Sequence, residues 1–94
     1  MAKIFVTNQE YKADIKVYMV NSDYKADLIY YEVNSDYKAK GDALWYFVDQ
    51  EYKADKKIYW VNAEYKADLK VFKANSDYKA KWQKSNKWQN RIAK

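Results

Sequence analysis

The tetrapeptide Tyr-Lys-Ala-Asp/Lys begins at Tyr11, Tyr24, Tyr37, Tyr52, Tyr65 and Tyr78, at intervals of 13, 13, 15, 13 and 13 residues. This repetition constrains the chain more than any other feature, because units at fixed spacing repeat one local structure and bury their apolar faces against each other. The long interval holds two extra residues, Gly41 and Asp42, directly after Lys40. With these set aside, each unit reads Tyr-Lys-Ala-Asp/Lys, a mixed apolar stretch, then Asn/Asp-x-Asp/Glu; the first runs from Tyr11 to Asp23. Ile4-Phe5-Val6-Thr7-Asn8-Gln9-Glu10 is the second half of a unit, so the repeats cover residues 4–81. The expected organisation is one domain over residues 1–94, with 82–94 as a basic, Trp-containing capping segment.

Thirteen residues at about 100° each rotate a helix about 220° past three full turns, so an apolar stripe would change sides in every unit. The period therefore argues against helix. Val17-Tyr18-Met19-Val20, Trp45-Tyr46-Phe47-Val48 and Ile58-Tyr59-Trp60-Val61 are β-branched and aromatic, which suits a pleated surface. Asn21-Ser22-Asp23, Asn34-Ser35-Asp36, Asp49-Gln50-Glu51, Asn62-Ala63-Glu64 and Asn75-Ser76-Asp77 supply short polar side chains that favour turns. The fold class is β-rich, with strands near 4–7, 15–20, 28–33, 44–48, 57–61 and 69–74. Alternation places Tyr65, Ala67, Leu69 and Val71 on one face. It predicts that the six repeat tyrosines, with Val17, Ile58 and Val71, are buried, and that the lysines following those tyrosines are exposed.

Composition closes off most catalytic chemistry. With no Cys and no His the chain has no disulfide, no thiol nucleophile and no Cys/His zinc site, and Ser22, Ser35 and Ser76 lack an activating base. A single Gly and no Pro leave no glycine-rich phosphate cradle. Asp14, Asp27, Asp55 and Asp68 are the obvious candidates for an acid–base pair, yet their recurrence in equivalent settings counts against it, since such a pair needs unlike environments. Pairing with a Lys of an adjacent unit is the expectation for each. The chain also lacks the alternating acidic loop ending in Gly that would hold calcium. The expectation is a non-enzyme with no cofactor and no metal.

Charge is unevenly placed. Residues 1–81 carry 14 Lys and 13 acids, a net of +1, whereas Lys84, Lys87, Arg91 and Lys94 face no acid in 82–94, a net of +4. Trp82, Lys84, Lys87, Trp88, Arg91 and Lys94 are thus the candidate residues for a weak contact with nucleic acid or another polyanion. No apolar run reaches the roughly 18 residues that span a bilayer, and the polar N-terminus does not look like a secretory signal, so a cytoplasmic monomer without a membrane partner is the expectation.

Tyr-Lys-Ala-Asp/Lys six times, with segments such as Val-Asn-Ser-Asp between, resembles a family of small bacterial proteins of unknown function built from about six such repeats. The resemblance covers residues 4–82; residues 83–94 have no counterpart, and Gly41-Asp42 breaks the strict period. It implies a compact β-rich domain whose backbone forms a seven-crossing torus knot, with successive repeats interlaced. The property expected of such an architecture is a kinetically stable, degradation-resistant scaffold or interaction module.

Overall fold

The computed structural model describes residues 2–93. Its seven strands are β1 (Ala2–Val6), β2 (Ile15–Met19), β3 (Leu28–Glu32), β4 (Leu44–Phe47), β5 (Lys56–Trp60), β6 (Leu69–Lys73) and β7 (Lys81–Trp82). The strand positions foreseen from the repeat hold to within a few residues. Between strands lie six single-turn 3₁₀ helices, Glu10–Lys12, Asp23–Lys25, Asp36–Lys38, Glu51–Lys53, Glu64–Lys66 and Asp77–Lys79. Each has the repeat tyrosine at its centre.

The strands lie in the order β4-β1-β5-β2-β6-β3-β7, and β4 also pairs with β3, so β1 to β6 close into a barrel of parallel strands. Closure removes the free sheet edges that would invite aggregation. Apart from β3 and β4, strands that follow one another within the barrel are not neighbours: β5 separates β1 from β2, β6 separates β2 from β3, β1 separates β4 from β5, and β2 separates β5 from β6. The chain thus advances two places at each step except from β3 to its neighbour β4, and this single-place step lets a second circuit of the barrel fill the gaps left by the first.

Stagger makes this possible. The C-terminal half of each strand pairs with the N-terminal half of the next in space, as when Ile4, Phe5 and Val6 meet Lys56, Lys57 and Ile58, and Ile58, Tyr59 and Trp60 meet Ile15, Lys16 and Val17. Every step slips the register by two residues. An even slip keeps the same side chains facing inward, because strand side chains alternate with period two. Ile4, Val17, Tyr30, Trp45, Ile58 and Val71, which occupy equivalent positions in the six repeats, are accordingly all buried. Ala2, Ile15, Leu28 and Leu69 form a second inward layer, and Tyr30 stacks on Trp45 with ring centroids 4.3 Å apart. The outward aromatics Phe5, Tyr18, Tyr31, Tyr46, Tyr59 and Phe72 are half-buried.

The repeated aspartates hold the stagger in place. Asp14, Asp27, Asp55 and Asp68 each donate a backbone N–H to the carbonyl of Lys57, Lys70, Lys3 and Lys16 respectively, at 2.7 to 2.8 Å. The carboxylate Oδ2 of each accepts the N–H of that same lysine at 2.9 to 3.2 Å. The expected pairing with a lysine is thus present, but to its main chain and not its ammonium. Units three and six carry Lys40 and Lys81 in place of Asp. Instead of entering another parallel strand, Lys81 pairs antiparallel with Ile29, and the chain turns back.

Gly41 and Asp42 serve this reversal. Gly41 takes φ +80°, a conformation that costs Gly little, and this sets Asp42 beside the end of the chain. Its carboxylate accepts the Trp82 indole N–H at 3.0 Å, the Asn90 backbone N–H, and the Ala93 backbone N–H at 3.0 Å. Residues 82–93 pack on the barrel, with Trp82 and Trp88 against the core, and Ile92, unnoticed in the sequence, is the residue fully buried there. No helix among the described residues is long and apolar enough to cross a membrane.

Candidate functional site: a ring of tyrosine turns

The six repeat tyrosines were expected in the core, and the structure overturns this. Tyr11, Tyr24, Tyr37, Tyr52, Tyr65 and Tyr78 are 81, 70, 63, 80, 85 and 80% exposed. The error has a local cause. Extrapolating strand alternation back through the tetrapeptide assumes extended backbone, whereas the residues from acid to Lys form a 3₁₀ turn with about three residues per revolution. In the first turn the Lys12 N–H reaches the Gln9 carbonyl and the Ala13 N–H the Glu10 carbonyl, both at 3.1 Å, and the other turns close the same way. The tyrosine at the apex is rotated outward. Alternation resumes only beyond the Ala, so Val17, Ile58 and Val71 are buried as expected.

Each turn presents the same surface chemistry. The lysine after the tyrosine is exposed, and in five turns, from Lys25 over Tyr24 to Lys79 over Tyr78, its ammonium lies 5.9 Å from the ring centroid. That distance is at the limit of a useful cation–π contact. The acid before the tyrosine is in part occupied: Glu10, Glu51 and Glu64 pair with Lys16, Lys57 and Lys70 at 3.0 to 3.2 Å. The Glu64 hydrogen bond and charge hold the Lys70 ammonium above its ordinary pKa.

Spatially adjacent turns are separated by open grooves. One joins Asp23 to Tyr78, another Asp77 to Tyr37, a third Asp36 to Tyr52 and a fourth Glu10 to Lys66. The order of the turns therefore follows the order of the strands. Six aromatic rings and their lysines form a repeated surface, which can stack planar groups and attract anions.

The residues singled out in the tail are placed differently. Trp82 is half-buried with its indole N–H held by Asp42, and Trp88 is half-buried against the core. Lys84, Lys87 and Arg91 are exposed, with the Lys87 ammonium 5.9 Å from the Trp88 ring; Lys94 lies outside the described residues. Among the described residues no three acids converge as a metal site would require. The four repeated aspartates, weighed above as catalytic candidates, are engaged with backbone amides.

The interlaced strand order and the two-residue stagger now stand beside a comparison with known protein families, which matches residues 1–83 to Septknot, described as the 7(1) septoil knot domain. The chain belongs to the septoil knot domain family. Two circuits that fill each other's gaps are the winding expected of such a domain, and the family match ends just after β7. The docked segment beyond it, with Ile92 and Trp88, is outside the matched septoil region. No curated protein and no solved structure matched the chain.

Proposed function

We propose that this protein is a non-enzymatic scaffold whose useful property is kinetic persistence, through resistance to unfolding and degradation. The observation that carries the reading is the strand order, in which β1, β2, β5 and β6 are each held on both sides by strands that do not adjoin them in the chain, and consecutive strands meet only where β3 pairs with β4. In an open solenoid a terminal unit frays without disturbing its neighbours, so local stability falls toward the ends. Here β1 lies between β4 and β5, and β6 between β2 and β3. Peeling off either end disrupts two partners. An unfolding route that must also unthread the chain is slow even where equilibrium stability is ordinary.

The test is degradation by an ATP-driven protease from a C-terminal tag, beside an unknotted β domain of equal denaturation midpoint. The scaffold reading expects much slower degradation of this protein, and equal rates refute it. A chain ending at Lys81, which lacks the segment docked on Asp42, is expected to degrade faster than the full chain. Polyanion binding through the tail is supported by exposed Lys84, Lys87 and Arg91 alone, since both of its indoles are packed inward. Heparin retention that falls with salt and is lost on replacing those three residues by Ala is its test.

A further inference from the structure

The grooves between the tyrosine turns differ in charge. In the groove joining Asp77 to Tyr37, Lys38 and Lys40 are balanced by Glu32 and Asp77. In that joining Asp36 to Tyr52, Lys3 and Lys53 are balanced by Asp36 and Asp49, and the fourth has Lys66 against Glu10. The groove between the turns Asp23–Lys25 and Asp77–Lys79 is different: Lys73, Lys79 and Lys81 face the single carboxylate of Asp23. Lys73 also pairs with Glu32 at 3.3 Å, which leaves Lys79 and Lys81 against Asp23, a surplus of one positive charge.

The surplus has a structural origin. Lys81 stands where four other units carry the aspartate that clamps a neighbour's backbone; the same exchange at Lys40 is balanced in its own groove by Glu32 and Asp77, whereas here it adds to an excess of base. Its backbone is fixed by the antiparallel pairing with Ile29, which anchors the side chain at the groove wall. Two aromatic rings stand in the same wall, Tyr78, which is 80% exposed, and half-buried Phe72. The volume is about 630 Å³, within the range of about 300 to 1,000 Å³ usual for small-ligand sites.

The geometry points to single-stranded nucleic acid as the ligand of this groove, with a base stacked on Tyr78 and its phosphates set against Lys79 and Lys81. An exposed ring beside ammonium groups is the combination that binds single strands without reading sequence: every base has a face to stack, and every nucleotide a phosphate to neutralise. A duplex hides its base faces and meets only half of that surface. The strand has room to continue, because the Asp77–Lys79 turn is shared with the next groove, where Tyr37, Lys38 and Lys40 repeat the pattern. This contact is separate from the tail cations and independent of the scaffold reading.

The test is fluorescence anisotropy of a short labelled oligothymidylate over a salt series with the full chain. Tyr78→Ala is expected to weaken binding about tenfold at fixed salt, as the loss of one stacked base does. Replacing Lys79 and Lys81 by Ala is expected to reduce the salt slope by about 1.4, at about 0.7 for each phosphate contact to a single strand. Replacing Lys84, Lys87 and Arg91 by Ala should leave affinity within about twofold. All five side chains replaced in the two lysine variants and at Arg91, like Tyr78, are exposed, and amide spectra that superpose on the parent confirm the fold. No binding at low salt overturns the inference, as does a Tyr78→Ala or Lys79/Lys81 variant that binds like the parent. Equal affinity for duplex removes the stacking contact, a loss confined to the tail variant moves the site to the tail, and displacement by uridine monophosphate as effective as by unlabelled oligomer makes an isolated nucleotide the ligand; each refutes the inference.

Discussion

Replacing Asp42 by Ala removes the acceptor to which the Trp82 indole and the Asn90 and Ala93 amides donate. A hydrogen bond to a charged group contributes about 1.5 to 3 kcal/mol, and Asp42 is half-buried, so three at the lower value give about 4 to 5 kcal/mol. The loss has a ceiling, the free energy that docks the terminal segment. Burying Ile92 contributes about 2 to 3 kcal/mol and the half-buried Trp88 about as much again, or about 4 to 6 kcal/mol before the cost of ordering the segment is subtracted. The two routes meet at an expected destabilisation of about 3 to 4 kcal/mol for Asp42→Ala, and Asp42→Asn, which keeps one acceptor oxygen, should lose about half as much. Hydrogen exchange resolved by residue is the assay, with urea unfolding beside it. The Asn90 and Ala93 amides should lose protection in step with a red shift of Trp fluorescence. If Asp42→Ala leaves both amides as protected as in the parent, the inserted carboxylate does not hold the segment and the reasoning fails.

Three further outcomes follow from the same packing. Tyr52→Ala should change stability by less than about 0.5 kcal/mol, because the ring is 80% exposed, whereas Ile58→Ala in the same unit should cost about 2 to 5 kcal/mol, both read from urea midpoints. Asp55→Ala leaves the Lys3 amide without its carboxylate acceptor and should cost about 1 to 3 kcal/mol, seen also as faster exchange at Lys3. Burial, with the charge of Glu32 second, pushes the Tyr30 phenol up to about 12. The unfolded chain therefore releases that proton from about pH 10 while the folded chain keeps it, so the stabilisation is complete below pH 10 and about 2 to 3 kcal/mol is lost by pH 12. Alkaline unfolding of Tyr30→Phe should lack this increment, and a parallel pH dependence in the two proteins would contradict the assignment.

The candidate site was only partly legible from residue order. Tail cations stand out in a sequence because they are unbalanced by acids, but the Tyr–Lys turns look neutral and buried when the tetrapeptide is taken as strand. One signal was present: the tyrosine always sits between an acid and a lysine, a setting that suits a polar turn better than the interior. Lys81 in place of Asp was visible as a departure from the repeat, while the carboxylates it faces, and those it does not, depend on which turns become neighbours.

The sequence by itself determined the units: a 13-residue period incompatible with a fixed helical face, β-branched and aromatic stretches that form strands, and alternation that buries Val17, Ile58 and Val71. These follow from local geometry, which residues close in the chain settle among themselves. The tertiary structure alone decided which strands meet. Near-identical units offer near-identical edges, so no local preference tells β1 to choose β4 and β5 over β2. The choice comes from closing the barrel with an even slip at every step, which keeps every apolar layer inward and leaves each gap to be filled by the second circuit. The meaning of Gly41-Asp42 was decided there too, because the amides that Asp42 holds lie roughly fifty residues away and come within reach only when the winding is complete.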